Sequence, residues 1–559
     1  MITMKQISAG AAIAAIAVLS VAIGSPRSTA AAASGDAAEQ AMAEIRPEAI
    51  RADMTFLADD LLEGRGTGVR GHELAAKFVA AQFEQMGLQP AGDGGTYFQR
   101  VRLRDYRADE ENTTVILSKP GKEWKLVNRK DYLVFGDAGR TSGSVEARVV
   151  YVGYGVTAAE QGYDDYQGVD ATGKVVAFTF GAPPSLESSL HAHYSAFEKK
   201  AANAAKHGAV GVLFLTDPIL EQIYSFQQEM DALVFPHLAW LDPQGRPNDY
   251  YPQLQGGAFL SLDAAKNVFE GSAHSAEEVF AAAKAGKQLS FDLPWTLKNQ
   301  WASKLKDLQS PNVVARLPGS DPTLRDECVV YTAHLDHLGI GKPVKGDSIY
   351  NGALDNASGS ADLLEVARAF SSMNPRPRRS ILFVSVTGEE AGLLGSDYFT
   401  HNPTVKKSSM VANVNMDEDL MLWPLKDVIV YGADHSSLGR EVNEAAARLH
   451  LTVSPDEQPE QAFFIRSDQY SFVKQGIPAI AASAGTKSDD AKYNAKEIEA
   501  KWEENVYHHP QDDMNQPFLF EEGAKYARFN FLVGYFVAQR TERPSWNRGD
   551  FFGDHASKE

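Results

Sequence analysis

Cysteine is almost absent from this chain. Among 559 residues Cys328 is the single thiol. No intrachain disulfide can form, and no cysteine-based metal cluster can be built. Any metal must be held by histidine and carboxylate. Cys328 opens the apolar run CVVYTA and reads as a buried core thiol. Positive charge is scarce too: 54 Lys and Arg face 73 Asp and Glu, for a formal net charge of −19. This argues against nucleic acid or an anionic membrane surface as the main partner. An acidic surface favours solubility and attracts cations or amine-bearing molecules. Long apolar runs are missing beyond the first thirty or so residues, so no later stretch is expected to cross a bilayer.

The one such run stands at the start. Lys5 precedes an Ala-rich apolar segment from Ile7 to Ile23, and small residues follow through Thr29 to Ala33. A charged n-region, an h-region and an A-x-A-like zone describe a signal peptide over residues 1–33. The chain is therefore expected to be exported, periplasmic or secreted, with no stable membrane insertion after cleavage.

The remaining length suits several domains. Residues 44–88 read as helical; within them Leu74, Phe78, Ala81 and Phe83 share one face and Gly87 stops the run. From Tyr97 to Val134 come short alternating pieces such as TTVILS. A different texture begins near Gly143. Val149–Val156, Val175–Phe180 and Ala209–Leu215 are strand-like, with a helix at Ala201–Lys206. From Ser310 onward strands at Cys328–Ala333, Ile381–Val386, Val411–Met416, Val428–Tyr431 and Ala479–Ser483 alternate with helical patterns at Ser360–Ser372, Leu393–Thr400, Gly439–Leu449 and Ser467–Gln475. Short apolar strands alternating with amphipathic helices predict an α/β fold, a mostly parallel twisted sheet covered on both faces. Residues 34–142 and 292–559 are expected to form that domain, and 143–291 a small β-rich insert.

Sites in such sheets form beyond the carboxyl ends of the strands, and five motifs fall at or near such places. AHLD ends a strand with His334, and a nearby carboxylate such as Asp336 can hold the far ring nitrogen. NGALDNASG is a glycine-rich loop whose Asp355 can bridge two cations. TGEEAGLLGS follows a strand with Glu389 and Glu390 adjacent; along extended chain they point apart and can serve different tasks. NVNMD ends a strand with Asp417. YHHPQDD offers His508 or His509. Each motif alone is an ordinary loop, cap or surface feature. Together they give His, Asp, Glu, Asp, His in order, three protein ligands for each of two metals with Asp355 shared, and an open position for water.

AHLDH, GALDNASG, TGEEAGLLGS, NVNMD and YHHPQDD, in this order, resemble the M28 family of co-catalytic zinc peptidases. The resemblance covers about 310–536 plus 45–88. GVDATGKVVAFTF and KKAANAAKHGAVGVLFL resemble a protease-associated (PA) domain. The resemblance implies two Zn2+ per chain, one on His334, Asp355 and Asp417, the other on Asp355, Glu390 and His508. His508 is taken over His509 because the family pattern is Tyr-His-x-Pro-x-Asp. Glu389 becomes the general base and Asp336 orients His334. A strained, often cis, Asp355–Asn356 peptide is implied as well. Many members read Arg-Ser-Asp-His where this chain has Arg466-Ser-Asp-Gln469, a difference at a position that is not a ligand. The implied activity is hydrolysis of N-terminal residues from peptides, with Glu418 and Asp419 as candidate acids for the free amine. A carboxypeptidase would instead need a placed cation such as Arg466. A dipeptidase, a one-zinc glutaminyl-cyclase-like enzyme and a non-catalytic binding protein are the alternatives.

Overall fold

The computed structural model describes residues 37–287 and 289–555. The expected signal peptide, 1–33, lies outside them. The chain folds as α/β, with a large, mainly parallel sheet flanked by helices. Its centre is three parallel strands, Ser380–Val386, Cys328–His334 and Met410–Met416, every residue of which is buried. Ala479–Ala484 adds in parallel to Met410–Met416. Asp427–Tyr431 then runs antiparallel and carries Thr452–Ser454.

Side chains alternate across a strand, so each central strand feeds two cores. Val329, Tyr331, Ala333, Ile381 and Phe383 pack into one, with helices Pro47–Leu57, Gly359–Ser372, Leu438–Arg448 and Phe520–Gln539. Cys328, Val330, Leu382 and Val384 pack into the other, with Phe399, Phe472 and Val473 of the short helices Leu394–His401 and Gln469–Val473. Phe520–Gln539 spans twenty residues and packs Phe531 against Phe370, ring centroids 4.6 Å apart and tilted by 51°. Truncating such a ring to Ala costs about 3–5 kcal/mol.

A second sheet lies beside the first, and the two share a strand. Ser290–Leu317 is 28 residues long. Its early part pairs with Thr114–Lys119 on one side and Ser142–Val152 on the other. Residues 303–313 then pair with 108–98, and 313–317 with 385–381. Val175–Thr179, Gly211–Leu215, Gly257–Leu260 and Tyr132–Leu133 complete the second sheet. The boundary expected between 291 and 292 falls inside the shared strand. Strands from 114 onward, ahead of the expected start at 143, already pair in the second sheet.

The module is fixed to the main domain by buried polar contacts as well. Helix Ser188–Ser195 presents His193 to Tyr470 (Nδ1 to Oη, 2.6 Å) and Ser189 to His435 (Oγ to Nε2, 2.9 Å). Trp240 donates its indole N–H to Asp397 at 2.8 Å.

Candidate metal centre

Three neighbouring parallel strands end on the same side and deliver their next residues to one pocket. His334 closes Cys328–His334, Thr387–Glu390 follow Ser380–Val386, and Asp417 follows Met410–Met416. Asp355 stands in the irregular turn Ala353–Ser358, ahead of Gly359–Ser372, and its peptide bond to Asn356 is cis. A side chain at Gly359 would meet Asn356 Oδ1 at 2.3 Å and Met416 O at 2.5 Å, so glycine is needed for this turn to close on the strand end. His508 follows helix Ala495–Asn505.

The five expected ligands converge. His334 Nε2 lies 3.0 Å from Asp417 Oδ1 and 3.2 Å from Asp355 Oδ1. His508 Nε2 lies 3.1 Å from Asp355 Oδ2 and 3.3 Å from Glu390 Oε2. Asp355 thus turns one oxygen to each group. Donor atoms bound at 2.0–2.1 Å around tetrahedral zinc stand about 3.3 Å from one another. The spacings here are those of ligand sets, and N and O donors suit zinc. His509 is turned elsewhere, with Nδ1 at 2.7 Å from the Tyr507 carbonyl.

The surrounding residues fix these donors. His334 Nδ1 is 3.1 Å from the main-chain carbonyl of Asp336, which leaves Nε2 as the free lone pair. Asp336 therefore reaches His334 through its backbone. Its carboxylate accepts from Thr67 Oγ1 (2.8 Å) and from the Glu389 N–H (3.2 Å). Asp512, from YHHPQDD, accepts the N–H groups of Leu354 (2.8 Å) and Asp355 (3.0 Å). Ser467 donates to Asp417 Oδ2. The shared strand contributes directly: Asn312 Oδ1 accepts the Thr387 N–H at 3.0 Å, and Ser310 Oγ lies 2.5 Å from Thr387 Oγ1.

Charge is distributed unevenly across the pocket. Burial disfavours the imidazolium forms of His334 and His508, yet the facing carboxylates outweigh it and hold both well above the ordinary histidine range. The two adjacent glutamates are driven apart. Burial, with Asp417 and Glu390 adding to it, lifts Glu389 well above a normal carboxylate, against the pull of His334. Burial and Asp355 press Glu390 upward, but His508 and His337 prevail and hold it down. Neighbouring carboxylates pushed in opposite directions are suited to different chemical tasks.

Arg65 and His337 carry no role in the sequence pattern. Fully buried Arg65 donates to the carbonyls of Leu335, Asn351 and Gly352 at 2.6–2.9 Å and to Leu57 O, tying the His334 and Asp355 loops together. His337, the last letter of AHLDH, joins Asp355 and Glu390. Gln469 is buried and internal, accepting from Asn415 (3.1 Å) and donating to Phe464 O (3.0 Å). Of the two acids expected to meet an amine, Glu418 feels Asp355, Asp417 and Arg466. Asp419 is fully enclosed, and its charged neighbours are Asp362 and Glu522.

A cavity of about 770 Å³ opens beside Glu390 and His508, lined also by Glu389, Arg466 and Tyr507 from the main domain and by Phe197, Tyr250 and Leu254 from the second-sheet module. A model of peptidase family M28 matches residues 312–523, which include every expected ligand and Glu389. This segment is similar to peptidase family M28. The chain is similar to aminopeptidase Y of Saccharomyces cerevisiae, 26% identical over 259 residues, 44% of this chain and 43% of that protein. Leupeptin-inactivating enzyme 1 of Streptomyces exfoliatus is 29% identical over 168 residues, 30% of this chain and 34% of that one. The chain thus spans less than half the length of these curated relatives. Among solved structures, the aminopeptidase from Aneurinibacillus sp. strain AM-1 shares the fold, with a TM-score of 0.52 at 20% identity over 90% of this chain and 97% of that chain.

Proposed function

We propose that this chain is an exported zinc-dependent exopeptidase that removes N-terminal residues from peptides. The observation that carries the reading is the convergence on Asp355: one oxygen faces His334 and Asp417, the other faces His508 and Glu390, at ligand-to-ligand spacings. Two zinc ions are assigned, one to His334, Asp355 and Asp417 and one to Asp355, Glu390 and His508. Bound zinc supplies Lewis-acid polarisation of a carbonyl and lowers the pKa of water.

The chain's own residues handle the proton. Glu389 accepts it from the attacking water and returns it to the leaving amine. Its raised proton affinity suits a group that must hold a proton between two steps. Asp336 and Asn312 keep the Glu389 loop in place through the N–H groups of Glu389 and Thr387. The aminopeptidase names of similar proteins support cleavage from the amino end. Glu418, beside Asp355, Asp417 and Arg466, is assigned to the substrate ammonium. Arg466, the one residue singled out for a carboxylate, is engaged by Tyr507 at 3.3 Å and lies over the Phe463 ring. The second-sheet module is read as a PA-type insert that walls the cavity and limits it to chain ends.

A panel of free and N-acetylated peptides, read by mass spectrometry beside metal analysis, tests this. Free peptides should lose their first residue, blocked ones should survive, and the protein should carry two zinc ions. Release of C-terminal residues, or indifference to acetylation, would overturn the assignment.

A further inference from the structure

His337 is left over once the five expected ligands are placed. Its side chain is completely enclosed, with Nδ1 2.6 Å from Glu390 Oε1 and 3.8 Å from Asp355 Oδ2. An approach of 2.6 Å between a ring nitrogen and a carboxylate oxygen ordinarily means a hydrogen bond. Here the directions are wrong for one: both nitrogens of His337 and Glu390 Oε1 are buried with no hydrogen-bond partner. With Asp355 they bring three ligand atoms within 4.8 Å of one another, around a point that a cation could fill. A buried polar atom left in that state is costly unless something fills the point.

The ring has little freedom to turn away. A side chain at Gly352 would sit 2.5 Å from His337 Cγ, so the backbone there presses on the imidazole. Gly352 also has φ +59°, a conformation that glycine tolerates. His508 reaches the same two carboxylates from another direction, its ring 5.9 Å from that of His337 at 68°.

We infer that His337 is a further ligand, through Nδ1, to the cation held by Asp355, Glu390 and His508. This rests on the reading of the pocket as a two-metal centre. The two positions then differ in kind. One has four protein donors, His337, His508, Glu390 and Asp355, and is closed and tight. The other has three, His334, Asp355 and Asp417, and keeps the open coordination position that catalytic zinc requires.

Metal binding to the full chain tests this without recourse to turnover. The metal-free protein is titrated with Zn2+ against a chromophoric chelator, and separately with Co2+ followed by absorption. The intact chain should take up two equivalents, one far tighter than the other. His337→Gln should weaken the tight equivalent by at least ~10-fold and leave the weaker one unchanged. His337→Cys keeps a ligand in place, so it should retain tight binding and add a thiolate-to-cobalt charge-transfer band that the intact chain lacks. If the intact chain binds two metals but His337→Gln keeps both affinities, or His337→Cys shows no such band, His337 is not a ligand while the two-metal reading stands. If the intact chain binds no metal, both readings fall together.

Discussion

The two sheets bury charge in opposite ways. In the second-sheet module Lys200 is fully buried, donates to the carbonyls of Thr179 (3.0 Å) and Gly181, and lies in the field of Asp165 and Asp217. Burial pushes its ammonium down to about 7 and Asp165 up to about 6. Cation and anions lie together within the fold. At the strand ends of the main sheet, Asp355, Glu389, Glu390 and Asp417 face three imidazoles, with no lysine among the converging groups. The difference teaches how to tell a structural buried charge from a functional one. The module set is hydrogen-bonded, whereas in this pocket His337 and Glu390 leave buried polar atoms without a partner where an external cation would fit.

The sharpest break between the two regions is expected in turnover. Glu389→Gln should lower kcat about 10³-fold while zinc content and unfolding midpoint stay as they were. Residual activity near that of the parent would remove Glu389 from its role. Metal comes next. Stripping zinc should abolish peptide cleavage and also lower global stability, by about 4 kcal/mol relative to protein at a thousandfold excess over Kd. Urea unfolding with and without zinc reads this directly, and coincident curves would mean that the pocket is not completed by a cation.

In the module the expected effect is smaller and has no bearing on metal. Lys200→Met removes the cation and leaves Asp165 and Asp217 unbalanced, at a cost of about 3 kcal/mol; unfolding followed by module fluorescence should show it with zinc content unchanged. The same residue gives the module a pH signature. The folded pKa of Lys200, about 7, lies below the unfolded value of about 10.4. Between those values the unfolded chain binds more protons, so stability should rise with pH from 7 to 10. Lys200→Met should flatten that slope, and an unchanged slope would assign it to other groups. Smallest of all is His509→Gln, expected to leave metal affinity within about twofold, since its ring addresses the Tyr507 carbonyl.

Much of the main sheet was legible because its strands are buried on both faces and read as unbroken apolar runs. Ile381–Val386 and Val411–Met416 lie within one residue of the observed strands. Four of the five proposed ligands stood out because His334, Glu390 and Asp417 end or follow such runs and Asp355 sits in a glycine-marked turn, whereas His508 follows a helix and was picked out from YHHPQDD. Arg65 was not, for its role depends on four carbonyls from three distant segments, and no local pattern encodes that. His337 lay in plain view three residues after His334. A strand-end turn, invisible to periodicity, brings both rings into one pocket. The shared strand Ser290–Leu317 was missed for a related reason: its exposed middle, with Lys304, Lys306 and Asp307, looks like a linker until its pairing with 98–108 is known.

That strand behaves as a beam clamped at both ends. Val313 pairs with Ser385, only four residues ahead of Glu389, and Asn312 grips Thr387. Eleven consecutive cross-strand pairs between 303–313 and 108–98 leave no hinge in between. A push on the module's wall is therefore transmitted in the plane of the sheet as shear and twist, and it arrives at the loop bearing both glutamates.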